Sequence, residues 1–300
     1  MSSEAHAHRR VASGSAAFRW SVLLNAGLVG VQLVIGFGFG SLALIGDAIH
    51  NLGDVVGLLL SWGAERLAGW PANRRFTYGY GRCTQLASMA NAALVMVAGG
   101  VVVVEGLQRL GRPVELGTTP VALAALAGLA VNLLSAWLFG PGHQHDLNRR
   151  AAVLHLLSDA ILSAAVLFST LLIALTGWTW LDSLVAIGVG FVVGWSGWRL
   201  MLEAGALSLD AVPGAVDLDA VEDSLLTIRG VCGVHHIHVW SLSTSKVALT
   251  AHLCRHQGVI DDETMLHEAQ ERLRKLGIQH ATLQLEPVDG IGCDQVPAPE

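Results

Sequence analysis

With 300 residues, 52% hydrophobic side chains, only 14% charged ones and a mean hydropathy of +0.52, the chain is too apolar for a soluble globular protein. It reads as a multi-span membrane protein with a modest soluble part. The net charge of −6 is unevenly spread: residues 1–207 hold twelve Arg, no Lys and ten acids, and 208–300 hold six basic and fourteen acidic residues, so no basic surface for nucleic acid is offered.

The first 17 residues are rich in Ser, Ala and His, carry Arg9 and Arg10, and predict a polar tail. The apolar run behind them is too long for a cleaved signal and is taken as a retained span. Six apolar runs follow in order, at 18–40, 42–64, 83–110, 118–140, 151–176 and 178–203, each long enough to cross a bilayer as a helix. Six spans place both termini on one side. Arg9, Arg10 and Arg19, then Arg66, Arg74, Arg75 and Arg82, then Arg149 and Arg150 fall on that side, against only Arg109 and Arg112 on the other. The positive-inside rule therefore predicts cytoplasmic termini, in a cell inner or plasma membrane. The predicted domains are a tail at 1–17, a transmembrane domain at 18–206 and a cytoplasmic domain at 207–300.

The second run contains Gly46-Asp47-Ala48-Ile49-His50-Asn51-Leu52-Gly53-Asp54, three ionisable groups inside apolar sequence. On a helix His50 and Asp54, four apart, share one face. The fifth run repeats the pattern as His155-Leu156-Leu157-Ser158-Asp159. A single polar residue in a span, Asp47 or Asn51 for example, can be a helix-packing hydrogen bond. Four ionisable groups at mid-membrane together cost several kcal/mol, and a function is the default reason to keep them. Span two ends and span five begins on the same face, so Asp54, ten residues from 64, and Asp159, eight from 151, lie at similar depth at about 1.5 Å per residue. Two nitrogens and two oxygens can then converge in the tetrahedron that zinc prefers. Asp47, one turn from His50, is a candidate proton or metal relay.

The connection 70–82 is basic, aromatic and punctuated by glycine; it reads either as an ordered loop or as an arginine anchor to anionic lipid. His143 and His145 in the fourth connection, and His6 and His8 in the tail, are either metal-feeding or incidental. No Cys-x-x-Cys pair occurs among the four cysteines, which predict no disulfide framework.

Beyond 206 a small α+β domain of order αββαβ is predicted: helices at 217–229 and 261–276, strands at 234–242, 246–254 and 281–286. His235, His236 and His238 lie in the first strand, where single histidines are usually structural and three in a row cannot all be ligands. His235, His252 and Glu286 lie on strands that would be neighbours, which raises a second, regulatory metal site.

With these residues in view the chain resembles the cation diffusion facilitator family of zinc/proton antiporters over nearly its whole length. The resemblance rests on the stretch from Ser41 to Asp54, on Arg75-Phe76-Thr77-Tyr78-Gly79-Tyr80-Gly81-Arg82, on Asn148-Arg149-Arg150-Ala151-Ala152-Val153-Leu154-His155, and on His236-Ile237-His238-Val239-Trp240. It implies that His50, Asp54, His155 and Asp159 form the transport site, that the protein is a membrane-embedded homodimer, and that a ferredoxin-like or metallochaperone-like cytoplasmic domain binds zinc through His235, His252 and Glu286. It also implies a salt bridge between Arg82 and Asp210 in the dimer, a bacterial-type exporter and a preference for zinc, with broader Zn/Cd/Co export as the alternative. No metal site is expected at 65–82, which holds no His. Protonated His and Asp do not bind zinc, so metal and protons compete for the same groups and antiport follows. The chain lacks the His-Glu-x-x-His of a metalloprotease and is not expected to be an enzyme. A membrane-anchored metal sensor is the rival from a different class.

Overall fold

The computed structural model describes residues 25–112, 114–138 and 147–288. Six helices come first: α1 (Asn25–Gly38), α2 (Leu42–Ala68), α3 (Cys83–Leu110), α4 (Thr118–Leu138), α5 (Leu147–Thr176) and α6 (Trp180–Ser208). Among the described residues α2 to α6 are each long and apolar enough to cross a bilayer, and α1 is the described stretch of the run at 18–40. The helices overrun the apolar runs at several ends. Helix α2 continues past 64 through Glu65 and Arg66, because intrahelical hydrogen bonding does not stop where hydrocarbon stops. The histidines at 6, 8, 143 and 145 lie outside the described residues.

The chain divides into two compact units. The first comprises the described parts of 1–59 and 90–199, the second 60–89 with the stretch from 200 onward.

In the first unit burial is inverted relative to a soluble protein. Large apolar side chains such as Phe37, Val97, Ile161, Phe168 and Phe191 are exposed, while Gln32, Asp47, Asn51, Asn132, Asp159, Ser163 and Asp182 are buried. Lipid is the solvent that makes this arrangement favourable. Helices α3 and α6 meet at their backbones. A Cβ at Gly99 would lie 2.8 Å from the carbonyl oxygen of Gly190, one at Gly190 2.8 Å from that of Gly99, and one at Gly106 3.2 Å from that of Ser183. Only glycine permits so close an approach.

Helix α2, which carries half of the candidate site, is fixed at its start by α6. The Asp182 carboxylate accepts from Ser41 Oγ at 2.6 Å and from the amides of Leu42 and Ala43 at 2.7 and 3.4 Å. These amides are among the four that a helix start leaves without an intrahelical partner. Arg109 adds a bond to the Gly40 carbonyl at 3.1 Å.

In the second unit the connection 70–82 is an ordered loop. Asn73 Oδ1 accepts from the amides of Arg75 and Phe76, Asn73 Nδ2 donates to Tyr80 Oη, and the Tyr80 ring lies against Trp70 and Phe76 at 5.8 and 4.8 Å. Arg82 donates to Asp210 within the same chain. At the start of α3, Gln85 Nε2 donates to the Ser241 carbonyl and Thr84 Oγ1 accepts from the Thr244 amide, so this helix end is hydrogen-bonded to the end of the first strand and to the turn that follows it.

The rest of this unit has the αββαβ order read from the sequence: α7 (Leu218–Leu226), β1 (Val231–Ser243), β2 (Lys246–Arg255), α8 (Asp262–Lys275) and β3 (His280–Pro287). Asp217 and Asp261 cap the two helices by accepting from amides in the first turn. Helix α7 stops at Leu226, and Gly230, at φ +92°, turns the chain into β1. The sheet runs β1-β2-β3, with β1 and β2 antiparallel and β2 and β3 parallel. Val221, Leu225, Leu249, Leu253, Met265, Leu273 and Ile278 close its core. Cys254 is disulfide-bonded, contrary to the expectation from cysteine spacing, whereas Cys83 and Cys232 are free thiols.

Candidate functional site

In the first unit all four predicted site residues meet. His50 and Asp54 lie one turn apart on α2, and His155 and Asp159 one turn apart on α5. The pairing is crosswise: His50 Nε2 donates to Asp159 Oδ1 at 3.0 Å, and His155 Nε2 lies 3.3 Å from Asp54 Oδ2. His155 is also 3.7 Å from Asp159 Oδ2, and the two imidazoles meet edge to face at 6.2 Å. One ligand atom from each of His50, Asp54 and Asp159 falls within a mutual 4.8 Å, compact enough for one cation, and His155 borders this group. The two halves differ in environment. The His50 and Asp159 side chains are 11% and 4% exposed, those of His155 and Asp54 50% and 40%.

Asp47 takes no part in these contacts. It is fully buried one turn before His50, where Oδ2 accepts from Gln32 Nε2 of α1 at 2.9 Å and from Ser163 Oγ of α5 at 3.0 Å. Gln32 and Ser163 carried no signal in the sequence, because a lone Gln or Ser in a span is common and their relation to Asp47 depends on helix rotation.

In the second unit His235 and His252 are direct cross-strand partners, and β3 brings Glu286 to the same face. Glu286 Oε2 lies 3.1 Å from His235 Nε2, and Oε1 lies 2.8 Å from His252 Nδ1, so one carboxylate joins both rings. Partial burial works against the charge of Glu286. The hydrogen bond from His235 and the charges of His252 and His235 outweigh it and hold the carboxyl below its usual range. The ligand atoms of the three residues fall within a mutual 4.8 Å, a set that fits zinc.

The strand carries a bulge between His235 and His238, and His236 adopts φ +50°, a left-handed backbone region uncommon outside glycine that His enters more readily than β-branched residues do. The bulge brings the His236 ring to 5.2 Å from His235 and 5.1 Å from His252. Strict alternation would have sent it to the opposite face. His280 stands edge-on to Tyr78 instead of joining the cluster.

Residues 19–207 match the cation efflux transmembrane domain. The chain belongs to the cation efflux, or cation diffusion facilitator, family. Residues 213–288 match the cytoplasmic domain of the same family, a dimerisation domain by its family designation. Similar proteins include the metal cation efflux system protein CzcD of Cupriavidus metallidurans, 32% identical over 94% of this chain and 89% of that protein. The zinc transporter ZitB of Escherichia coli is 36% identical over 90% of this chain and 87% of its own. The cadmium, cobalt and zinc/H(+)-K(+) antiporter of Bacillus subtilis is 31% identical over 89% of this chain and 87% of its own. The chain is a multi-pass membrane protein of this family, with a cytoplasmic-type domain that supports homodimerisation.

Proposed function

We propose that the protein exports divalent metal, zinc foremost, from the cytoplasm in exchange for protons, and that His50, Asp54, His155 and Asp159 carry the ion. The observation that supports this reading most is the crosswise pairing of His50 with Asp159 and of His155 with Asp54. The hydrogen bond of the first pair and the 3.3 Å contact of the second bring two nitrogens and two oxygens close together, with His50, Asp54 and Asp159 converging on one point and His155 beside them. An arriving cation replaces the bridging hydrogens with itself. Only neutral imidazole and ionised carboxylate are ligands, so loading releases protons, and protons supplied on the far side displace the ion. The names of the relatives, which include zinc transport and H(+) antiport, support the same exchange.

The arginine distribution supports cytoplasmic termini, in an inner or plasma membrane, with a tail at 1–17, a membrane domain at 18–206 and a cytoplasmic domain at 207–300. Asp54 lies one turn nearer the C-terminal end of α2 than His50, and His155 one turn nearer the N-terminal end of α5 than Asp159, the ends that this topology puts on the cytoplasmic side. Their exposure fits a site open inward. Homodimerisation gives alternating access a fixed partner against which the helices rock. Zinc on His235, His252 and Glu286 acts as a regulator of that equilibrium, and the Arg82–Asp210 salt bridge ties the connection before α3 to the segment after α6.

Two nitrogen and two oxygen ligands favour zinc, and the same donor types admit cadmium and cobalt. The test is zinc flux into proteoliposomes under an imposed pH gradient, with cadmium and cobalt as competitors. Flux that follows the gradient and disappears in His50→Ala supports the reading. Flux indifferent to both would overturn it.

A further inference from the structure

The buried group that metal binding leaves unused is Asp47. Its Oδ2 takes two donors, Gln32 Nε2 and Ser163 Oγ, but its Oδ1 is buried with no hydrogen-bond partner among the described residues. The Gln32 Oε1 atom is buried and unpartnered in the same way. Two buried acceptors that both lack a donor, on side chains already joined by the Gln32 Nε2–Asp47 Oδ2 bond, are costly. A primary amide and a carboxylic acid form a reciprocal pair in which amide N–H meets one carboxyl oxygen and carboxyl O–H meets the amide oxygen. The first half is present at 2.9 Å. The second half needs a single hydrogen on Oδ1, which a protonated Asp supplies as a donor.

The surroundings leave little space for a larger group. A Cβ at Gly128 of α4 would lie 2.8 Å from Gln32 Nε2 and 3.1 Å from Ser163 Oγ, so α4 closes directly over the pair. Helices α1 and α4 present no ionisable side chain among the described residues. The ionisable groups acting on Asp47 are His50, one turn along α2, and Asp159 on α5, both on the side of the metal ligands.

We propose that Asp47 is a proton site distinct from the metal ligands: its Oδ1 holds one proton, donated to Gln32 Oε1, while the metal site is vacant, and releases it when a divalent cation arrives. In that step the O–H bond of the acid breaks, its electron pair stays on Oδ1 as carboxylate, and the proton leaves to bulk water on the face to which the site is open. The driving force is the charge of the incoming cation, which favours the ionised acid. Coupling is reciprocal, so a proton regained at Asp47 weakens the hold on the metal and helps to eject it on the far side. This inference rests on the metal-antiport reading above and adds a counter-ion site to it.

The test is infrared difference spectroscopy on the full-length protein in lipid, zinc-free against zinc-loaded, with a parallel zinc titration. The expected result is a protonated-carboxylic-acid carbonyl band that disappears on zinc loading, is absent from Asp47→Asn, and shifts in Ser163→Ala, which loses one donor to Oδ2. Calorimetry in buffers of different ionisation enthalpy reads the same event as one fewer proton released per zinc in Asp47→Asn. Wild-type protein that binds zinc without any such band change would overturn the proposal, as would a band unmoved by both substitutions. The titration separates the two readings: loss of Asp54-dependent zinc binding is a failure of the transport site, and normal binding with no acid band is a failure of the Asp47 assignment alone.

Discussion

His50 on α2 is hydrogen-bonded to Asp159 on α5, the acid of the other helix's pair, at 3.0 Å. The two helices are thus tied through residues that, on the proposed transport reading, would have to part for an ion to enter. In metal-free protein a double-mutant cycle of His50→Gln and Asp159→Asn should show a coupling of about 1–3 kcal/mol, as expected for a buried charge-assisted bond. The same cycle on His155 and Asp54, half exposed, should give less than about 1 kcal/mol. Thermal unfolding of the purified variants measures both, and equal couplings would contradict the difference in burial.

Asp182→Ala should destabilise the protein by about 1–3 kcal/mol, because the buried carboxylate accepts from Ser41 Oγ and from two amides at the start of α2. Asp182→Asn keeps one acceptor oxygen and should recover part of the loss. A melting curve unchanged in Asp182→Ala would mean that water or lipid headgroups take over these amides.

The contact between α3 and α6 predicts opposite outcomes at adjacent glycines. Gly99→Ala places a Cβ 2.8 Å from the Gly190 carbonyl oxygen and should cost about 1–3 kcal/mol through overpacking. At Gly100 nothing lies within 4 Å of the added carbon, and Gly100→Ala should be tolerated. Detergent melting temperatures of the two variants, compared side by side, decide this.

Much of this was legible in the sequence, and the part that was not has one physical origin. Apolar runs of spanning length gave five of the helices within a few residues, and the repeated His-x-x-x-Asp marked the pairs because helical spacing alone puts both groups on one face. Alternation and caps gave the αββαβ order. Partner choice between elements was not readable. That His50 meets Asp159, that Gln32 meets Asp47 across 15 residues, and that Asp182 reaches Ser41 across 141 all depend on the rotation and depth of each helix. The position of the His236 ring was not readable for a related reason: a bulge breaks the period-two rule and brings it beside His235 and His252.

The cytoplasmic cluster predicts a pH dependence. The Glu286 carboxyl is held below its usual range, so its partners stabilise the folded state above the ordinary carboxylate pKa, and this contribution is lost as pH falls through the lowered folded value. Wild-type protein should therefore lose thermal stability on acidification through the carboxylate range by more than Glu286→Gln, which has no charge to lose. Parallel slopes would show that His235 and His252 do not hold this acid.

If the two pairs carry the ion as proposed, their unequal exposure bears on how a hydrated cation sheds its water. Asp54 and His155, half open, can replace part of a hydration shell while the remaining waters stay in contact with solvent, and Asp159, 4% exposed, can be reached only by a cation that has given those up. On that reading dehydration would be divided into two smaller steps along one path. A metal that exchanges its waters slowly would stall between them, so passage through such a site selects on ligand-exchange rate as well as on affinity.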